Sequence, residues 1–312
     1  MNMSIKISQE QIMNEVRTIN TTYSQSEKKQ AVFEGEEQEV MFYTKKKCTM
    51  FFPAGKASEI KISSQSFKIL DYLLMGLQIK RNMNINDIIG LRKVKKPISE
   101  WCELFNIQYQ TENIKMLESH LTSLILPVIT YRGHTVVRDE QGNVVFTKGN
   151  RIKESSRSLL FFHILDDVRI TDGYIEVYIN ESFLELLADY SYDMLYSPKI
   201  FSLNVNNNPN AYNFSYRLQE HYKMNCRKAN ANIISVESLL SCTDIIPDKE
   251  KLPRSNSFVE KIVKPFERDL NALVDNKIIK SWNYINDEGE YLGKVNAKNF
   301  YELKIHFLFD DM

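Results

Sequence analysis

Ser255–Val274, SNSFVEKIVKPFERDLNALV, is the stretch on which the fold turns. At helical spacing it puts Phe258, Val259, Ile262, Val263, Phe266, Leu270, Leu273 and Val274 on one side. That is the apolar stripe of a helix that packs on a core. The opposite side carries Ser257, Lys261, Lys264, Arg268 and Asn271, at steps of four, three, four and three, with no carboxylate in the row. Glu260, Glu267 and Asp269 fall on its flanks. Such a front suits the major groove of duplex DNA, where cations meet phosphates or guanine edges and an amide can pair with adenine. The same pattern also fits an ordinary solvated helix face. Pro265 lies mid-stretch; a proline there removes a hydrogen bond and costs about 3 kcal/mol unless a kink absorbs it. The expectation is one kinked helix, its front half along a groove and its rear half in the core. The alternative is two helices broken at Lys264.

Around this stretch the second half of the chain reads helix, helix, helix, hairpin. AYNFSYRLQEHYKMN (211–225) is a helix with Ala211, Phe214, Leu218 and Tyr222 inward, and Ser235 caps a short helix in IISVESLLSC (233–242). A loop with Pro247 and Pro253 leads to the long helix, and IIKSWNYINDEGEYLG (278–293) and KNFYELKIHFLF (298–309) follow as two strands around a polar tip.

The first half repeats that order. SSQSFKILDYLLMGLQIK (63–80) places Phe67, Leu70, Leu73, Leu74 and Leu77 on one face, with serines at its start. ISEWCELFNI (98–107) is a short helix with Ser99 as candidate cap. TENIKMLESHLTSLIL (111–126) is a third, with Thr111 as candidate cap, Ile114, Leu117, Leu121, Leu124 and Ile125 inward, and Pro127 as its stop. VITYRG and HTVVRDEQGNVVFTKG read as strands, the latter turning at Gln141-Gly142-Asn143. The outward side of the third helix shows Lys115, Ser119 and Thr122 with Glu118 nearby, one cation only, which suits a phosphate contact or a protein interface.

Strands around Asp172-Gly173, a helix in ESFLELLADY (181–190) and an Asn-rich turn closed by Pro209 complete the first half. The aromatic run Leu159–His163 reads as sheet core. Ahead of the first helix come a strand-like run, Val40–Phe52, and a polar N-terminal arm with a helical pattern at Ile12–Ile19 and a link TTYSQSEKKQ. The division is therefore 1–34 as arm and linker, 35–200 as first domain and 201–312 as second. The repeat is one of architecture, with no clear identity between the copies.

Composition bounds the function. With 312 residues, 43% hydrophobic and 26% charged, the chain can bury two cores. The 40 basic and 40 acidic residues cancel, so any nucleic-acid contact must rest on locally gathered cations. No apolar run approaches the roughly 20 residues of a membrane span, and the first residues lack a secretory core, so a cytoplasmic protein with no membrane partner is expected. Cys48, Cys102, Cys226 and Cys242 show no C-x-x-C spacing, so reduced packing cysteines and no metal site are expected.

The ordered set SQSFKILDYLL, NPNAYNFSYRLQEHYKMN, IISVESLL and VKPFERDLNAL resembles the replication initiator (Rep) proteins of plasmids, of the iteron-binding type. The resemblance runs from about residue 35 to 308 and is most specific over 205 to 275. It implies an α+β fold of two tandem winged-helix domains. The second domain would bind directly repeated origin DNA through its third helix, and the first would supply a dimer interface and secondary DNA contacts. It further implies a monomer–dimer equilibrium, and the host initiator and replicative helicase as partners. By position the implied DNA contacts are Arg254, Asn256, Ser257, Lys261, Lys264, Arg268 and Asn271. Arg217 and Lys223 would touch backbone phosphates, and Lys115, Ser119 and Thr122 are secondary contacts. The acidic tip NDEGEY is a poor minor-groove reader and a departure from the family pattern, which counts against wing contacts at Lys294 and Lys298.

Enzymatic rivals find little support. His120, His134, His163, His221 and His306 are isolated, so the His-x-His metal site of a nicking initiator is missing. Asp166-Asp167 and Asp310-Asp311 are adjacent pairs whose side chains diverge in a strand, and no phosphate-binding G-x-x-x-x-G-K-[ST] occurs. No enzyme activity, catalytic residue or cofactor is expected. A two-domain winged-helix transcription regulator and a protein-interaction scaffold remain the alternatives.

Overall fold

The computed structural model describes residues 5–9, 27–33, 36–45, 48–52, 62–77, 79, 82–171, 173–190, 192–243, 258–293, 295 and 300–310. The chain forms two compact units of mixed helix and antiparallel sheet, an α+β architecture. One is Lys6–Met194, the other Leu195–Met312 together with Met1–Ile5. The helical pattern read at Ile12–Ile19 lies outside the described residues.

In the first unit the strands β1 (Ile5–Gln9), β2 (Glu27–Phe33), β3 (Glu36–Lys45) and β4 (Cys48–Phe52) precede the helices. The end of the stretch read as a polar link is thus a strand. Helix α1 (Ser64–Leu74) starts where Ser63, in extended conformation, accepts a hydrogen bond from the Ser66 amide, the N-cap that its serines promise. Then follow α2 (Ile85–Gly90), β5 (Lys93–Pro97), α3 (Ile98–Phe105) and α4 (Thr111–Ile125). After these come β6 (Val128–Gly133), β7 (Ser158–Phe162), β8 (Leu165–Thr171), β9 (Tyr174–Ile179) and α5 (Glu181–Tyr190).

Two sheets result, one in the order β2-β3-β4-β6-β7 and one in the order β5-β9-β8. α1 packs on α4, and α4 packs on β8. The hairpin that follows the three helices in the small sheet is therefore β8–β9, turning at Gly173 with φ +85, and not the hairpin expected directly after α4. β6 instead joins the large sheet, between β4 and β7. HTVVRDEQGNVVFTKG forms isolated bridges rather than strands, with Arg138 opposite Val144 and Phe146 opposite Ile152. Its turn falls where the sequence places it: the Gly142 amide donates to the Asp139 carbonyl at 2.9 Å.

Local differences have simple causes. α3 begins at Ile98 after an extended Pro97, so Ser99 lies inside the first turn, and α4 starts at Thr111 after Gln110; neither N-cap position makes a side-chain cap bond. Leu159 and Phe161 point outward, 49% and 63% exposed, while Phe162 is buried. The aromatic run is thus a half-buried strand, split by the alternation of its side chains.

α1 is buried on every side from Gln65 to Leu74, including Lys68 at 2% exposure, whose Nζ lies 4.6 Å from the Phe105 ring centre. Burial pushes the Lys68 ammonium down from 10.5 to about 7. Between those two pH values the unfolded chain holds more protons at this site than the folded one, so stability rises with pH across the window. The contribution is at most about 1.4 kcal/mol per pH unit. Lys68→Met is expected to flatten that slope, read from thermal melts between pH 7 and 10.

The second unit opens with β10 (Tyr192–Tyr196), which runs across the division, and a 3-10 turn, Pro198–Ser202. It continues with α6 (Ala211–Asn225), β11 (Ile233–Ser235) and α7 (Val236–Leu240). Ser235 caps α7 as read, its hydroxyl accepting from the Ser238 amide at 3.1 Å. A π-helical turn, Val259–Val263, leads without a break into α8 (Lys264–Asp275). β12 (Ile279–Ile285), a 3-10 turn (Phe300–Glu302) and β13 (Lys304–Phe309) close the unit. The small sheet has the order β11-β13-β12. In both three-stranded sheets one strand precedes a pair of helices and the other two follow it, and the first strand pairs with the third and the third with the second; in the first unit α2 stands ahead of the first strand, and β6 and β7 come between the helix pair and the last two. Among the described residues no helix is long and apolar enough to cross a membrane.

Candidate nucleic-acid interface

Pro265 explains the backbone of the decisive stretch. It cannot donate to the carbonyl of Lys261, and the turn before it widens: the Lys264 amide reaches back five residues to the Val259 carbonyl. Dihedrals stay helical through the join, with φ −66 and ψ −52 at Val263 and φ −60 and ψ −46 at Lys264. The element is continuous, and the proline is absorbed as a change of winding.

The apolar back of this element is buried as read. Phe258, Ile262, Val263, Phe266, Leu270 and Leu273 are each no more than 7% exposed, while Val259 and Val274 are half-buried. Phe266 is the centre of the packing, with ring centres 5.2 Å from Phe214 on α6, 5.4 Å from Phe300 and 6.4 Å from Tyr284 on β12. The helix is thereby clamped between α6 and the small sheet, and its opposite side faces out.

Lys261, Lys264, Arg268 and Asn271 are all exposed on that side. Lys264, Arg268 and Asn271 line an open depression of about 400 Å³ together with Glu267, Asp275 and Asn276. Lys264 Nζ lies 2.6 Å from Glu260 Oε1 one turn earlier, both side chains about 60% exposed. Such a surface pair is worth only about 0.3–0.5 kcal/mol, so a phosphate can displace it cheaply. Arg268 Nε donates to Asp269 Oδ1 at 3.0 Å, and its two Nη groups make no hydrogen bond among the described residues. Arg254, Asn256 and Ser257 lie outside the described residues, as do Lys294 and Lys298.

Asp269 does not sit on a flank of the row. It is fully buried, and its Oδ2 accepts from the Asn210 amide at 3.0 Å and from Asn210 Nδ2 at 2.9 Å. Burial pushes its carboxyl up, and its Asn210 and Arg268 donors pull it back. Asn210 is the N-cap residue of α6, so this carboxylate ties the start of α6 to α8 and orients Arg268 at once. Sequence reading missed the role; the signal was an acidic residue at the edge of an apolar stripe, beside Leu270. A second unforeseen contact comes from β12: Trp282 Nε1 donates to Asn271 Oδ1 at 2.9 Å, and the indole stands edge-on to Tyr284, ring centres 5.2 Å apart.

The other candidates sit on other elements. The Arg217 guanidinium, on α6, bonds Ser238 at 2.7 Å and Glu220 at 2.7 Å, bracing α6 against α7. Lys223 is exposed near the C-terminal end of α6. In the first unit Lys115, Ser119 and Thr122 are exposed on α4, and Thr122 Oγ1 donates to the Glu118 carbonyl at 2.8 Å. The hairpin tip between β12 and β13 is organised by Asn286, whose Oδ1 accepts from the Glu288 and Glu290 amides, and Asp287 pairs with Lys304 at 2.8 Å. Asp166 and Asp167 do diverge: Asp166 takes Arg92 and Asn180, and Asp167 takes Arg169.

No protein-family model matches the chain, and no curated protein matches it. Among solved structures, a selenomethionine derivative of domains 2 and 3 of RctB aligns over 92% of this chain and 92% of that one, at 9% identity and a TM-score of 0.41. A second structure of RctB domains 2-3 aligns over 91% of each chain, at 9% identity and a TM-score of 0.36. Both likenesses are distant.

Proposed function

We propose that the protein is a plasmid replication initiator, a non-enzymatic cytoplasmic DNA-binding protein built of two winged-helix domains. The second domain reads directly repeated origin sites by laying the Val259–Asp275 element in the major groove. The observation that carries this reading is the exposed row Lys261, Lys264, Arg268 and Asn271 on an element whose back is locked into the core. The strand order shared by the two small sheets supports the winged-helix assignment, since strand, helix pair and hairpin follow in the winged-helix sequence. The resemblance of the ordered motifs to those of plasmid initiators is what suggests the biological role. Several copies bound to adjacent repeats would bend and strain the neighbouring duplex. The first domain would supply self-association, and the host initiator and replicative helicase would follow.

The test is a gel shift of the full chain on duplex origin repeats against a scrambled duplex. Binding through three cations predicts a log–log salt slope of about −3. Trp282 is half-exposed beside the row and Trp101 is buried in the other unit, so a change in tryptophan emission should accompany binding. Equal affinity for the scrambled duplex overturns sequence-specific reading. Permanganate reactivity of AT-rich DNA beside the repeats separates an initiator from a transcription regulator, which would bind and leave that DNA paired.

A further inference from the structure

Residues 134–157, between β6 and β7, form a finger that belongs to neither sheet of the first unit. Its base is pinned. The Arg138 side chain is 9% exposed, and its guanidinium donates to Glu185 at 3.0 Å and Asp189 at 2.6 Å, both on α5, and to the Met83 carbonyl at 2.7 Å. The Ile85 amide of α2 donates to the Gly142 carbonyl at 2.9 Å, and Asn84 Nδ2 donates to the Gln141 carbonyl at 2.8 Å. Gly142 sits so close to α2 that an added Cβ would come within 2.3 Å of Ile85 Cγ2. Asp139 spends its carboxylate on the finger's own turn, accepting from the Gln141 and Asn143 amides.

The tip is the opposite: exposed and uncompensated. The chain bridges at Phe146 and Ile152 and turns between them through Gly149 and Asn150, with φ +93 and +58. From Gln141 to Lys153 there is no acidic residue, and Lys148, Arg151 and Lys153 are all exposed. Alternation along extended backbone puts Arg151 and Lys153 on one side and Ile152 and Glu154 on the other. None of the three cationic side chains makes a hydrogen bond or ion pair among the described residues. Elsewhere Arg92, Arg138, Arg169, Arg217 and Lys304 each meet a carboxylate. The tip is thus a local excess of three positive charges in a chain whose 40 basic and 40 acidic residues cancel. Such a cluster repels itself in the free protein and favours an anionic partner.

We infer that this tip is a second DNA site, independent of sequence, in which Lys148, Arg151 and Lys153 grip the phosphate backbone of duplex flanking the repeat. The inference takes its ligand from the DNA-reading role proposed above and adds to it three residues of the first unit. Flexible cations side by side on an open turn match a line of phosphates, and phosphate contacts fix position without reading bases. The pinned base matters here. The finger's backbone is already ordered by Arg138 and by α2, so binding does not have to order it again.

The test is a salt titration of the full chain on two duplexes, one a single repeat and one the same repeat flanked on each side by about two helical turns, roughly 20 base pairs, of unrelated sequence. The proteins are the wild type and the triple variant Lys148→Ala, Arg151→Ala, Lys153→Ala. On the short duplex both should show the slope of about −3 expected of the second unit's row. On the long duplex the wild-type slope should steepen by about 2.7 units, so that between 50 and 200 mM salt it loses about 40-fold more affinity than on the short one. The triple variant should behave alike on both, and its unchanged affinity for the short duplex shows that it is folded. Acetylation of free lysines, followed by peptide mass, should find Lys148 and Lys153 protected by the long duplex and Lys115 still reactive. Equal wild-type slopes on the two duplexes overturn the inference. So does a triple variant that keeps the steeper slope, or full reactivity of Lys148 and Lys153 in the complex. Polyglutamate that releases the flank-dependent binding as readily as unrelated duplex at equal charge overturns DNA as the ligand. Binding of the long duplex alone, abolished in the triple variant, keeps the finger and overturns the row on the second unit as primary reader. Binding of neither duplex overturns both.

Discussion

Replacing Lys264 and Arg268 together by alanine is expected to weaken binding to the duplex repeat about a hundredfold or more at fixed salt. Each side chain is exposed on the same row and positioned for a charge-assisted hydrogen bond worth about 1.5–3 kcal/mol. Arg268 is the better prepared of the two. Its Nε is held by Asp269 and its side chain is 49% exposed, so little rotamer freedom remains to be lost on binding. Lys264 must first leave Glu260, a small cost. The salt slope should shrink by about two units in the double variant. Lys115→Ala, on the α4 front of the first unit, should change affinity less than about threefold. Titrations of the three proteins on one repeat check this. Equal losses at Lys115 and at the pair would overturn the proposal that the second unit is the primary reader.

The second large effect is on stability. Asp269→Ala is expected to destabilise the second unit by about 3–5 kcal/mol, the usual result of removing one partner from a buried hydrogen-bonded charge network. The Asn210 amide and side chain would be left in the core without their acceptor, and Arg268 would lose its orienting bond. Hydrogen exchange followed by peptide mass should report the loss over α6 and α8. Unchanged protection of both helices would show that Asp269 is not the tie described. DNA affinity measured well below the melting temperature should also fall, through Arg268 alone, and by less than in Arg268→Ala.

What could be read from the chain alone follows the strength of the local signal. The apolar stripe from Phe258 to Leu273 recurs over about four turns, so the buried back of that element and its exposed front were legible together. Ser63 and Ser235 act as caps because a serine directly before a periodic run has few other uses. β5 and β11 carried no such signal. Lys93–Pro97 holds three lysines and one valine, and Ile233–Ser235 is three residues long, so only pairing with β9 and β13 makes either a strand. The hairpin of the first unit was placed in VITYRG and HTVVRDEQGNVVFTKG because they follow α4 directly and turn at Gly142, and only long-range pairing shows that β8–β9 is the hairpin that joins β5. Asp269 and Trp282 were hidden for a related reason: each acts on a residue of another element, Asn210 and Asn271, and periodicity along one helix says nothing about neighbours across space.

The widened turn at Val259–Val263 has a consequence for comparing this chain with others. A π turn is equivalent to inserting one residue into an α-helix, which rotates everything upstream by about 100° relative to an unbroken helix. A related chain without proline at this place would need one residue fewer to present the same upstream side chains. A single-position deletion just before residue 264 in a homologue would then mark a preserved surface, and a gapless alignment would mark a rotated one.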